Sequence, residues 1–535
     1  MRPTPRRNNP QLRHKCPFAF VATHNHFVLD RGGKVFKQSA PVIKLPEGAS
    51  EDDHLRLLGV LNSSTACFWL KQNSHNKGST VDNRGARTTL SEWENFYEFT
   101  GTTLKDFPLV RTLPMNRARR VDQLAASLHT NEPAQAITTF GATSATVGKA
   151  RRDHATTRAQ MIAEQEELDW EVYRLYGLID DNLALPVGDA PGIALGERAF
   201  EIALARRVAA GEAETEWFNR HSSTPITEIP HRWPADYQQL VQRRLDAIES
   251  NPFIRLLERP EYKRRWATES WDVKLHRALG DWLLDKLENP TLWTTPQGTP
   301  QPRSVGELAG EMEKDTEFLN ALDLWAGRKD TPVTDTLVQL LADQAVPYLA
   351  AWRYKDSGLR KRAEWEHVWN LQRDEDAGLI KATDIPVPPK YTTADFRKTS
   401  YWAHRGKLDV PKERFISYPD AGRATDTTPL LGWAGWNHAH QGLALATIYA
   451  LRESEGTPLD QLIPIVAGIA EVLPWVTQWH SEVDPALGVN LADYLQGYLT
   501  EKATHVGIPT SDLATWRPPT PTRGRKTTKT RKAEQ

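Results

Sequence analysis

Residues 148–178, GKARRDHATTRAQMIAEQEELDWEVYRLYGL, read as one long helical run. Leu168, Val172, Leu175 and Tyr176 fall on one face of that helix, while acidic residues cover the others. This is the pattern of an element that buries one apolar stripe and solvates the rest. C-terminal to it the chain continues as helices carrying tryptophans: ALGERAFEIALARRVA (194–209), YQQLVQRRLDAIES (237–250), DVKLHRALGDWLLDKLEN (272–289) and DTLVQLLADQAVPYLAAWRY (335–354). TTPQGTPQPR (294–303) reads as a linker or long loop between them. Residues 385–436 are rich in Pro, Tyr and Trp without helical period, and helices resume from 437 to about 504. The stretch from Leu459 to Val476 holds Gln461, Pro464, Glu471 and Pro474, so it reads as a soluble helix pair rather than a membrane span.

N-terminal to the long run the pattern changes. Residues 17–46 carry β signals: FAFVATHNHFVL is aromatic and β-branched, Arg31-Gly32-Gly33 supplies a turn, and KVFKQSAPVIKL alternates after it. Ser50-Glu51-Asp52-Asp53 offers a helix start ahead of HLRLLGVLNSSTACFWLKQ. Residues 71–90 are polar, basic and aperiodic, and are expected to form a long exposed loop. An aromatic segment closed by prolines follows over 91–114, then a helix from about 115 to 128 and a polar Thr/Ala stretch over 130–147.

With 535 residues, Lys+Arg 67 against Asp+Glu 68 and a net charge of −1, no global field announces an acidic partner. Hydrophobic residues at 39% with 19 Trp, 15 Phe and 13 Tyr suffice for a large core and exclude disorder of the whole chain. Two cysteines, Cys16 and Cys67, cannot form a disulfide framework or a cysteine zinc site, so a reduced, cytoplasmic setting is expected. The basic N-terminus lacks the apolar core of a signal peptide. The last 20 residues hold seven basic residues and one acidic residue, and are expected to be a disordered tail. Weak order is expected at 1–14, 71–90, 130–147 and 518–535.

Catalytic signatures are missing from the sequence: there is no P-loop, no GxGxxG after a strand, no GxSxG and no HExxH. Adenine-N6 methyl transfer wants an Asn/Asp-Pro-Pro-Tyr/Phe string to hold a flipped amino group. Asn251-Pro252-Phe253 and Asn289-Pro290-Thr291 each lack the second proline and read as ordinary helix terminators. His24-Asn25-His26 has the letters of a nuclease motif but not its spacing. On a strand, His24 and His26 share a face, where they could bind a metal, line a nucleic-acid groove or sit half-buried. His438 and His440 open a helix, where i and i+2 diverge. Asp52-Asp53 and Asp180-Asp181 look like helix caps.

Nucleic-acid binding has better support. Lys71, Lys77, Arg84 and Arg87 sit among Gln72, Asn73, Asn76 and Asn83, mixing phosphate-directed cations with amides able to read adenine edges. The hairpin adds Lys34, Lys37 and Gln38. An ordinary solvated loop has the same composition.

GVLNSSTACFWLKQ (59–72), LKDFPLV (104–110) and ELDWEVYRLYGL (167–178) resemble, in this order, the target-recognition half of TaqI-like adenine-specific DNA methyltransferases. KLDVPKERFISYP (407–419), LLGWAGWNHAHQGLALATIYALRE (430–453), LPWVTQWHSEVDP (473–485) and DLATWRPP (512–519) are similar to one branch, the PglX family of phage growth limitation (BREX type 2) systems. FAFVATHNHFVLDRGGKVFKQSAPVIKLP (18–46) is similar to that branch too. The resemblance implies the DNA-recognition part of a phage-defence adenine-N6 methyltransferase, lacking the N-terminal domain that binds S-adenosylmethionine and therefore without methyl transfer of its own.

Its partners would be double-stranded DNA, a separate methyltransferase domain and other defence proteins. The implied readers are His24, Asn25, His26, Lys34, Lys37, Gln38 and the 71–87 loop; no catalytic, cofactor or metal residue is assigned. A second reading is an interaction scaffold docking through Trp433, Trp436, Trp475 and Trp479, residues that are more often core.

The expected architecture is α+β, mostly α. It comprises a basic leader (1–16), a small mixed α/β target-recognition domain (17–147), a long connecting helix (148–185), a helical domain (186–385), a Trp-rich helical C-terminal domain (386–515) and a basic tail (516–535).

Overall fold

The structure, a computed structural model, describes residues 14–81, 91–405, 411–485 and 487–518. It is α+β and mostly α, with small sheets among many helices. Two compact units divide it: the described part of Met1–Phe140 with Ala145–Leu275, and Gly141–Ser144 with the described part of His276–Gln535. The leader to residue 13, Arg84 and Arg87, and the tail from residue 519 lie outside the described residues.

In the first unit the β content is slight. Cys16–Pro17 pairs antiparallel with Val42–Ile43, and a three-stranded sheet orders Val21–Ala22, Phe96–Glu98 and His75–Gly78. The sequence predicts a continuous strand through His24 and His26, but residues 23–26 form a bend with no ladder partner. His24 and Asn25 therefore turn inward while His26 faces solvent, so the two histidines do not share a face.

The expected loop at 71–90 is also partly ordered structure. Lys71, Gln72 and Asn73 finish the helix Ser64–Asn73, and His75–Gly78 is a strand. Likewise 130–147 contains the helix Pro133–Phe140 and the start of the long helix. Ser50 and Asp53 cap Glu51–Leu61 reciprocally, as a capping box does. Asp180 and Asp181 cap nothing and sit in the exposed segment after the long helix. At Gly59 an added Cβ would lie 2.9 Å from the Ala118 Cβ, so glycine lets two helices approach closely.

The long helix runs Ser144–Leu175 and is buried all round over ten consecutive residues, 161–170. Leu168 and Val172 pack with Phe18, Phe27, Leu55 and Leu58 on one side. Met161, Trp170 and Tyr173 pack with Trp233, Tyr237 and Leu240 on the other. The acidic residues expected in water are therefore inside. Glu164, Glu166, Glu167 and Asp169 are each at most 1% exposed. Buried charges persist only when they are paired and hydrogen-bonded, and distant segments supply the partners.

Arg117 Nη1 meets Glu164 at 2.5 Å, and Arg244 Nη2 meets Glu167 at 2.6 Å. Lys263 Nζ donates to Asp169 at 2.9 Å and to Glu258 at 2.7 Å, with Glu166 at 3.7 Å. Ser64 donates its backbone N–H and its hydroxyl to the two oxygens of Asp169, at 2.8 and 2.6 Å. Arg198 and Glu201 close a further buried pair at 2.9 Å. Carboxylates outnumber cations in this core. Burial, with Glu166 nearby, raises the Glu258 carboxyl to about 7 even though Lys263 opposes the shift.

The second unit has a four-stranded sheet ordered Arg303–Ser304, Leu430–Trp433, Phe415–Ser417, Ala345–Pro347. Its last pair is parallel, with Ala345 opposite Phe415, and the other pairs are antiparallel. The expected linker at 294–303 is a tight turn, with Thr294 bridged to Pro300. His438–Ser454, Leu459–Trp479 and Leu491–Val506 form the main helical layer and share one core. Leu459–Trp479 is a single helix with Pro464 and Pro474 inside it, where the sequence suggests a pair. Among the described residues it is the one helix long and apolar enough to cross a membrane, and 56% of its apolar window is buried within the protein.

Candidate nucleic-acid interface

The bend at 23–26 is held by the helix start behind it. Asn25 Nδ2 donates to the carbonyls of Leu61 (2.6 Å) and Ser63 (3.1 Å), and Asn62 exchanges bonds with both backbone groups of Phe27. Asn25 thus anchors the bend. His24 is 1% exposed; burial first, then the charges of Lys71 and Arg265, keep its imidazole neutral. Lys71 is buried as well, donating to the Glu261 carbonyl with its ammonium 5.1 Å from the centre of the Tyr97 ring.

The remaining candidates reach solvent. Gln72 Nε2 donates to the Tyr262 hydroxyl at 3.3 Å, and Asn73 Nδ2 donates to the Trp69 carbonyl at 2.8 Å. Asn76 Nδ2 donates to the Tyr97 hydroxyl at 3.4 Å, and Lys77 pairs with Glu98. Lys34, Lys37 and Gln38 are exposed on the segment that follows the Gly32-Gly33 turn. His24, His26 and Lys71 are thus brought together, Gln72, Asn73, Asn76 and Lys77 lie around the end of one helix and its following strand, and among the described residues no hydrogen bond or ion pair joins either group to Lys34, Lys37 or Gln38.

Sequence reading misses two further members. Arg264 and Arg265 arrive from some 240 positions along the chain, and Arg265 donates to the Thr23 hydroxyl beside His24. Arg264 lies 5.1 Å from the Trp266 ring centre and Arg265 5.8 Å from that of Trp93. No ion pair among the described residues engages either guanidinium. Burial lowers Arg264 to about 10, which leaves it charged at neutral pH. Loss of solvent on one side, and then Arg264 and Arg265, lower the proton affinity of His26.

The local signal is the run Lys263-Arg264-Arg265. Lys263 turns inward to the carboxylate core, while the next two residues are half-buried at the rim beside the 23–26 bend. Two unneutralised guanidiniums backed by indole rings beside an exposed imidazole are suited to contacting phosphate oxygens.

The described residues hold no group of three or more His, Cys, Asp or Glu placed to bind a metal ion. Asn251 and Asn289 act as helix N-caps, each with proline directly after it. A cradle for S-adenosylmethionine would need a parallel strand leading through a glycine turn into a helix. In the parallel pair Ala345–Pro347 and Phe415–Ser417, the residues that follow are Tyr348 and Tyr418 rather than glycine.

Residues 161–527, more than half of the chain, match the family described as "Domain of unknown function (DUF7008)", and the chain belongs to it. It is also 49% identical over 520 residues to "Adenine-specific methyltransferase PglX" from Streptomyces coelicolor (strain ATCC BAA-471 / A3(2) / M145), which makes it a relative of PglX-type adenine-specific methyltransferases. That alignment covers 95% of this chain and 42% of the relative, so the chain spans less than half of the relative's length. No solved structure matches the chain.

Proposed function

We propose that these 535 residues form the DNA-recognition portion of a PglX-type adenine-N6 methyltransferase of phage-defence, TaqI-like type. The observation that carries this reading is the convergence of Arg264 and Arg265, both without a carboxylate partner, on the Thr23–His26 bend. In this reading the two guanidiniums and Lys77 hold the phosphate backbone, and His26, Gln72 and Asn76 reach toward base edges. Methyl transfer is supplied by a separate S-adenosylmethionine-binding domain, because the Asn-Pro-Pro-Tyr string is missing from this stretch.

Fluorescence anisotropy with duplex DNA at two salt concentrations tests the reading. The chain is expected to bind with a steep salt dependence. Replacing Arg264 and Arg265 together by Ala is expected to reduce the log–log salt slope by about 2. Unchanged affinity and slope in a folded double variant would remove the rim from DNA binding.

A further inference from the structure

The second unit contains a cavity of about 450 Å³ at the exit of its parallel strand pair. That is an ordinary size for a small-molecule site. Tyr348 and Tyr418 are the residues directly after the two strands, and their rings lie side by side with centroids 5.2 Å apart. Tyr348 is seated by Gly468, where a Cβ would fall 2.5 Å from its ring. Trp475 lines the cavity from the proline-containing helix, with His438 stacked on it at 5.7 Å and 18°.

Charge around the cavity is unevenly compensated. Glu471 accepts from Arg353 Nη2 at 3.0 Å, pairs with Arg362 Nη1 at 2.9 Å and also takes the Ala350 backbone N–H at 3.1 Å. Arg362 also pairs with Glu366 at 3.0 Å, so these two arginines are neutralised by two carboxylates within the wall. Arg405 is not. Its guanidinium lies over Tyr391 at 5.4 Å and donates to the Tyr354 hydroxyl at 2.8 Å, and no ion pair among the described residues engages it. Glu413 also lines the cavity, and no ion pair among the described residues engages it. The site therefore offers aromatic faces, one uncompensated cation and one carboxylate acceptor.

The geometry points to a binding site for a nucleotide: a base against the Tyr348 and Tyr418 rings, its N–H edge on Glu413, and its phosphate on Arg405. Aromatic stacking accepts any base, whereas a guanidinium beside aromatic rings recognises phosphate through several parallel donors. This site is separate from the rim proposed for DNA and stands or falls independently of it.

Tryptophan fluorescence of the full chain titrated with AMP, adenosine and inorganic phosphate tests the inference, since Trp365, Trp369 and Trp475 all line the cavity. AMP is expected to quench saturably and to bind at least about 10-fold more tightly than adenosine, the usual effect of one charge-assisted contact. Arg405→Gln is expected to erase the difference between AMP and adenosine, and Arg405→Lys to restore part of it in a chain whose circular dichroism is unchanged. No saturable response to AMP up to about 1 mM, or an unaltered preference for AMP in folded Arg405→Gln, would overturn it.

Discussion

Glu258→Gln is expected to abolish a pH dependence that originates in the carboxylate core. Glu258 Oε1 accepts from Lys263 at 2.7 Å and from the Tyr173 hydroxyl at 2.6 Å, while Oε2 is buried with no hydrogen-bond partner. Protonating Oε2 breaks no bond, so the folded state holds that proton up to about 7, against an ordinary value of 4.5. Below 4.5 the carboxyl is protonated in both folded and unfolded chains and contributes nothing. Between those values the unfolded chain releases the proton and the folded chain keeps it, so stability falls as pH rises. Each pH unit in this window is worth about 1.4 kcal/mol, and the wild-type chain loses about 3 kcal/mol from this group by neutral pH.

The glutamine variant lacks that loss. Its stability relative to wild type should therefore rise by about 3 kcal/mol between about pH 5 and about pH 8. His24, whose folded proton affinity is lowered mainly by burial, acts in the opposite sense: its contribution is present above the ordinary histidine range and lost as pH falls. It is common to both chains and cancels in the difference. Native-state hydrogen exchange over residues 161–175, compared between the two chains at each pH, reads the opening free energy of this core directly. A difference that stays constant across the pH range would refute the assignment of the proton to Glu258.

Lys263→Met leaves Asp169, Glu258 and Glu166 facing one another without their cation. The expected cost is about 3–5 kcal/mol, read as a lower urea midpoint, with partial recovery when Glu258→Gln is added. Gly468→Ala forces a methyl into the Tyr348 ring and is expected to cost about 1–3 kcal/mol, with loss of near-UV ellipticity. Asn251→Ala removes the side-chain cap that accepts from Phe253 N at 2.9 Å and Ile254 N at 3.3 Å. A loss of about 1 kcal/mol in thermal or urea unfolding is expected.

Local chemistry was legible wherever partners lie within one helical turn. Ser50 with Asp53 follows from sequence spacing, and so do the long helix and the helices that open the C-terminal layer, whereas the Asn-Pro strings, read as helix terminators, also cap the starts of the helices after them. The resemblance of this chain to PglX-type methyltransferases was likewise visible in its strings. The strand expected through His24 and His26 failed because hydrophobic and β-branched composition does not supply a ladder partner. Here Asn25 instead bonds the end of the helix Glu51–Leu61.

The sequence alone determined that this protein is mostly helical, aromatic-rich and free of recognisable catalytic strings. Only the tertiary structure decided which charges are inside. A 3.6-residue period says which side chains share a face, but not whether that face meets water or another segment. Glu167 is stable in the core because Arg244 arrives 77 positions later, and Asp169 because Lys263 arrives 94 positions later. The same chain reversal brings Arg264 and Arg265 to the bend at Thr23, so the basic rim, like the carboxylate core, exists only once segments distant in sequence have packed together.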